Sequence, residues 1–82
     1  MKEVYVLTQY YIYDNDIEGI FGNIDAIKRF ISKHYNSYFD GNDTYYYKDA
    51  EILPNSHVNV YYEGLDYPVD DLLYAEKYQV IE

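Results

Sequence analysis

The sequence predicts an α+β fold, an antiparallel sheet of four to five strands with one α-helix at about 23–35 packed on one face, in the order β-β-α-β-β-(β). Three observations predict it. β-forming residues run from Val4 to Tyr13 and return at Ile17–Phe21 after the turn residues Asp14-Asn15-Asp16. Ile24, Ile27, Ile31 and His34/Tyr35 then recur at helical spacing. The rest reads as short alternating runs separated by turn residues.

In the first strand, Val4, Val6 and Thr8 alternate with Tyr5, Leu7 and Gln9, which suits a central strand covered on both faces. Ile17–Phe21 completes a tight hairpin. Gly22 ends that strand, Asn23 is a good N-cap, and Asp25 complements the helix dipole. Phe30 widens the apolar stripe, while Lys28, Arg29 and Lys33 fall off it and face solvent. Asn36 stops the helix. Residues 36–43 read as loop, with Gly41 free to take positive φ.

Thr44–Leu53 reads as a strand, Pro54-Asn55-Ser56 as a turn, and His57–Tyr62 as a half-buried strand with one polar face. Glu63–Pro68 is a second loop. Pro68–Leu73 suits a helical turn with Asp70 and Asp71 early in it. The period of two through Leu72, Tyr74, Tyr78 and Val80 makes Tyr74–Ile81 the last strand, and a short helix through Tyr78 is the competing reading.

The 82 residues are expected to form a single domain, 1–82. Fourteen of the hydrophobic residues are Tyr, whose hydroxyls need water or a partner. What remains supports one thin layer of helix against sheet rather than a deep catalytic pocket. The absence of Cys excludes a disulfide framework, a thiolate metal site and a cysteine nucleophile, and fits a reducing cytoplasm. The opening residues carry Glu3 and no continuous apolar run, so no signal peptide is expected. No stretch approaches the ~18 apolar residues of a membrane span. The glycosylation pattern Asn42-Asp43-Thr44 is set aside for want of a secretion signal.

Six basic against fifteen acidic residues give a net charge of −9. Residues 1–41 hold six acids and four bases, and residues 42–82 hold nine acids and two bases. Direct nucleic-acid binding is not expected, because phosphate contacts need Lys and Arg. A basic protein partner is the natural complement, and simple solubility is the plain alternative.

Asp14, Asp16, Glu18, Gly19 and Asp25 approximate an EF-hand spacing, but the preceding residues read as strand and Asp25 is shorter than the usual Glu. They are expected to be turn carboxylates. His34 and His57 are expected to be structural. No phosphate loop, nucleophile elbow or catalytic carboxylate frame is present, so the protein is read as no enzyme, with no cofactor and no metal.

Exposed Tyr is an efficient contact residue, and several stand beside acids: Tyr47 near Asp49 and Glu51, Tyr61 and Tyr62 beside Glu63, and Tyr67 beside Asp66. Alternation puts neighbours such as Tyr45 and Tyr46 on opposite faces. Carboxylates two residues apart in a strand, Asp49 and Glu51 or an extended Asp14, Asp16 and Glu18, would form a row ~7 Å apart that imitates a phosphate backbone. Asp43, Asp49, Glu51, Glu63, Asp66, Asp70 and Asp71 are the candidate charges, and Tyr45, Tyr47, Tyr61, Tyr62 and Tyr67 the candidate contacts.

Val4-Tyr5-Val6-Leu7-Thr8, the Glu18-Gly19-Ile20-Phe21 strand and a helix with Ala26 and Phe30 resemble small β-β-α proteins of unknown function encoded by phages and prophages. The resemblance covers about the first 35 residues and extends to the last strand. In size and acidity the chain is similar to phage inhibitors of host defence, including anti-CRISPR and anti-restriction proteins, some of which mimic DNA. It implies a non-enzymatic inhibitor in the host cytoplasm that occupies the basic nucleic-acid site of a bacterial protein. Two alternatives stand beside it: a binder of a nucleotide-like signal using stacked tyrosines with Lys28, Arg29 and Lys33, and a dimerisation module whose Tyr runs bury a homodimer interface.

Overall fold

The computed structural model describes residues 2–10, 15–70 and 73–81. The fold is α+β, with one helix and six strands: β1 (Lys2–Tyr10), β2 (Asn15–Phe21), α1 (Ile24–His34), β3 (Ser37–Asp40), β4 (Asp43–Ile52), β5 (Val58–Tyr62) and β6 (Leu73–Val80). They form two antiparallel three-stranded sheets, ordered β2-β1-β6 and β3-β4-β5, instead of the single sheet expected. The bridge His57–Tyr74 and the Ala75 amide, donating to the Ser56 carbonyl at 2.8 Å, link β6 to the start of β5.

The helix begins where expected. Asn23 is extended, and its side chain accepts from the Ala26 amide at 2.8 Å. Asp25 occupies the first turn, Lys33 and His34 the last, and the Tyr35 amide closes the helix on the Ile31 carbonyl. Ile27 and Ile31 enter the core beside Leu7, Val58, Val60 and Leu73. Phe21 and Phe30 pack at 5.3 Å between ring centres and seal the β2 side. Phe21 also folds back over Gly19, where a Cβ would come within 2.8 Å of the ring.

β1 is the central strand of its sheet, as expected, but it is covered on one face and not on both, since Ile17, Ile20, Tyr78 and Val80 on the other face are exposed. Its Tyr5, Leu7 and Gln9 share the inner face with Phe21, Leu73 and Ala75 across the ladder. The opposite face carries Val4, Val6, Thr8 and Tyr10 with Ile20, Tyr74, Tyr78 and Val80. Thr8 is buried and His57 covers the Tyr74 corner at 4.1 Å between ring centres, while Ile17, Ile20, Tyr78 and Val80 are exposed.

Four further expectations need correction. Residues 36–43 are not loop. Tyr38 pairs with Tyr45 and Asp40 with Asp43, so β3 and β4 form a hairpin around Gly41-Asn42, with Gly41 at φ 66°. Cross-strand packing of Tyr38 outweighs the turn-rich composition of that segment. Second, no helical turn begins at Pro68, because Val69 exchanges both backbone hydrogen bonds with Val60 at 2.8 and 2.9 Å. Asp71 and Leu72, in the rest of that segment, lie outside the described residues. Third, residues 73–80 are strand throughout, which removes the competing helix. Fourth, Asn15 and Asp16 belong to β2, paired with Tyr10 and Gln9, so they are not turn residues; Asp14 lies outside the described residues.

The turn at Pro54-Asn55-Ser56 is as expected. Ser56 takes φ 72°, and its amide donates to the Leu53 carbonyl at 2.9 Å. No helix among the described residues is long and apolar enough to cross a membrane.

Ile31 is fully buried. Ile31→Ala is expected to cost about 2–4 kcal/mol, and Asn23→Ala about 1 kcal/mol, both measured by urea unfolding with the slope unchanged.

Candidate functional site

The pleat of β4 decides which of its side chains reach the surface. Tyr47 pairs with Tyr62 but Asp49 pairs with Tyr61, so Lys48 is an extra residue, a β-bulge. Before the bulge, Tyr45 and Tyr47 point inward, and after it Ala50 and Ile52 do. Asp49 and Glu51 therefore face outward with Tyr61 and Asn59, their partners on β5. Uninterrupted alternation would have put Tyr45, Tyr47, Asp49 and Glu51 together.

Tyr62 leaves the expected contact set. It is 2% exposed, and its hydroxyl donates to the Tyr35 carbonyl at 2.9 Å. Its ring packs on Tyr38, and cross-strand pairing with Tyr47 holds it against the core. Tyr47 is half-buried for the same reason, and burial first, then the nearby Asp49 carboxylate, raises its pKa.

The remaining candidates divide into three groups. Asp43, Tyr45, Asp66 and Tyr67 meet at the tip of the β3–β4 hairpin, against the loop that follows β5. The Tyr67 hydroxyl donates to the Asp40 carboxylate at 3.2 Å. A Cβ at Gly64 would lie 3.5 Å from the Tyr45 ring, which places that loop directly beside the tyrosine. Partial burial, then the fields of Asp43, Asp40 and Asp66, push the Tyr45 pKa up. Burial, then its bond to Asp40, does the same for Tyr67. Glu63 starts the same loop, its amide donating to the Tyr46 carbonyl at 2.8 Å. Asp40 and Tyr38 belong to this end and were missed because their segment reads as loop. The available signal was the Asp-Gly-Asn-Asp turn flanked by aromatic residues.

The second group is Asp49, Glu51 and Tyr61. Tyr61 donates to Glu51 at 3.0 Å, and this bond is the main cause of its raised pKa. Lys28 reaches Asp49 at 3.0 Å and holds that carboxyl below its usual range, helped by the Ala50 amide. The Asp49–Glu51 row is thus half-neutralised. The third group is Asp70, 3.4 Å from His57 Nδ1 and apart from the other two. Asp71 lies outside the described residues.

Of the EF-hand-like carboxylates, Asp16 lies on β2 opposite Gln9, Glu18 accepts from the Tyr35 hydroxyl at 3.1 Å, and Asp25 is on the helix. Asp14 lies outside the described residues. Among the described residues, no group of three His, Asp or Glu side chains is placed to hold a metal ion. His34 stacks on Phe30 at 4.2 Å, and His57 meets the Tyr74 ring at 4.1 Å.

The ion pairs among the described residues are Lys28–Asp49, His57–Asp70 and Lys77–Glu3, so none reaches Asp40, Asp43, Glu63 or Asp66 at the hairpin end. That end combines uncompensated carboxylates with half-buried and exposed tyrosine rings, which suits cation–π and charge-assisted contact with Lys or Arg.

Tyr10, Tyr45, Tyr47, Tyr61, Tyr67 and Tyr78 all have raised pKa values. A raised pKa contributes stability that is present below the unfolded value of about 10 and is lost as pH rises through the folded value. Ultraviolet titration should therefore show a class of tyrosines ionising late and together with unfolding; fourteen tyrosines ionising near pH 10 with the fold intact would contradict these environments. Comparison with protein-family models, curated proteins and solved structures finds no match for this chain.

Proposed function

We propose that this is a non-enzymatic acidic binding protein, a phage or mobile-element inhibitor whose hairpin end blocks the basic nucleic-acid-binding site of a bacterial defence protein. The observation that carries the reading is the convergence of Asp40, Asp43 and Asp66 on Tyr45, with Tyr67 bonded to Asp40 and, among the described residues, no ion pair to these carboxylates. Like charges held together destabilise a fold, and a basic partner relieves that repulsion while the rings supply contact area. The resemblance of the first 35 residues to phage β-β-α proteins supports the biological setting, a host cytoplasm.

Less supports a nucleotide-like ligand. A cleft of about 380 Å³ is lined by Lys28 and Tyr61, the residue types such a ligand needs. Asp49 and Glu51 line it too, and Lys28 is already bound to Asp49, so the cleft repels phosphate.

The test is a pull-down from bacterial lysate at low and high salt, followed by a DNA-competition assay on the captured protein. A partner released by salt, whose DNA binding this chain displaces, is expected. The triple variant Asp43→Lys, Glu63→Lys, Asp66→Lys should weaken its binding by roughly 100-fold or more at low salt. Equal affinity of that variant at both salts, or a captured partner that still binds DNA freely, would refute the mechanism.

A further inference from the structure

We propose that the outer face of the β2-β1-β6 sheet is a homodimer interface, covered by the same face of a second copy of this chain. Ile17 and Ile20 are 69% and 68% exposed on it, and Tyr78 and Val80 are 50% and 40% exposed. Val4 and Val6 fill the central strand between them. Ile17 and Ile20 are three apart and would point to opposite faces of a regular strand. They share one because Glu18 is an extra residue in β2: Leu7 pairs with Gly19 and Thr8 with Ile17.

The one carboxylate in the middle of this surface is already provided for. Tyr10 donates to one oxygen of Glu76 at 3.2 Å and Tyr78 to the other at 3.1 Å. Glu76 thus carries its own donors into a desolvated interface, where an unpaired carboxylate would oppose burial.

Three arguments select a second copy as the occupant. Lys2 and Glu76 are the charged side chains of this face's strands among the described residues, one of each sign, and the His57–Asp70 pair at its Tyr74 corner is already matched, on a chain of −9. A basic partner finds its complement at the hairpin end and nothing to pair with here, whereas two neutral copies of the face match. Exposed apolar patches on monomers run to on the order of 300–600 Å², so two such faces bury on the order of 600–1,200 Å², the size of a weak, reversible interface. Finally, the buried core is thin for a chain without disulfides, and self-association is a common remedy in small domains. Aligned sheet-on-sheet packing under a two-fold axis makes such a contact self-complementary.

Sedimentation of the full chain from about 1 to 300 µM, at about 0.15 and 0.5 M salt, tests this. A reversible dimer with a micromolar dissociation constant is expected. It should tighten with salt, because screening weakens the repulsion between two acidic copies. Ile17→Lys and Ile20→Lys alter exposed positions, so circular dichroism should stay native while dimer affinity weakens by about 100-fold. Val80→Lys, at the end of the sheet, is the second variant should either fail to fold. Asp43→Lys, at the hairpin end, should change dimer affinity by less than about threefold. A monomer at 300 µM in both salts overturns the proposal and gives the face to a different protein. A dimer that folded lysine variants leave unchanged overturns it as well, and places self-association elsewhere.

Discussion

The surface of this protein depends on two inserted residues. A strand serves one face with every second side chain, and it can change phase only by gaining a residue. Lys48 does this in β4, so that Tyr45 and Tyr47 face inward on one side of it and Ala50 and Ile52 on the other. Glu18 does it in β2, so that Gly19 and Phe21 serve the helix side while Ile17 and Ile20 both turn away from it. Without the first, Asp49 and Glu51 would enter the core. Without the second, one isoleucine would be covered and the outer face of the sheet would lose half of its edge.

The same two residues mark where the sequence stops being readable. The helix was legible in full, because Asn23, Asp25, Ile27 and Ile31 are a cap, a dipole partner and a stripe, all local signals. β1, β5 and β6 were legible from alternation. Bulges leave no such trace, since an extra Lys or Glu in a strand looks like any solvent-facing residue. β3 was hidden for a related reason: four residues cannot display a period, and Tyr38 pairs with Tyr45 only once the hairpin closes. The division into two sheets follows from pairings between distant segments, to which local pattern is blind. The candidate contact residues were selected by type, and type does not separate Tyr62, packed in the core, from Tyr61, bonded outward to Glu51.

The abundance of tyrosine acquires a physical role from the fold. With six bases for fifteen acids, most carboxylates have no cation to meet. Among the described residues, tyrosine hydroxyls serve Glu76 from Tyr10 and Tyr78, Glu51 from Tyr61, Asp40 from Tyr67 and Glu18 from Tyr35. A neutral donor stabilises a carboxylate without cancelling its charge, so the field of the surface survives while the individual oxygens are satisfied. Phe at these positions would pack as well and leave the acids solvated only by water. Replacing them with Lys would erase the negative potential.

The acidic hairpin end and the apolar sheet face belong to different sheets and share no residue. The first would repel another copy of the chain, and the second is the face proposed to receive one. The proposed dimerisation through the sheet face would leave both hairpin ends in solvent, each on a molecule 50 Å along its longest axis. A dimeric or repetitive basic target could then be gripped twice. A second contact made within one complex proceeds at an effective concentration near the millimolar range, provided the spacing matches. Two modest, salt-sensitive contacts would in that way yield slow dissociation without enlarging either site. A single contact built only on rim charges has no comparable route, because screening at physiological ionic strength limits what each exposed carboxylate contributes.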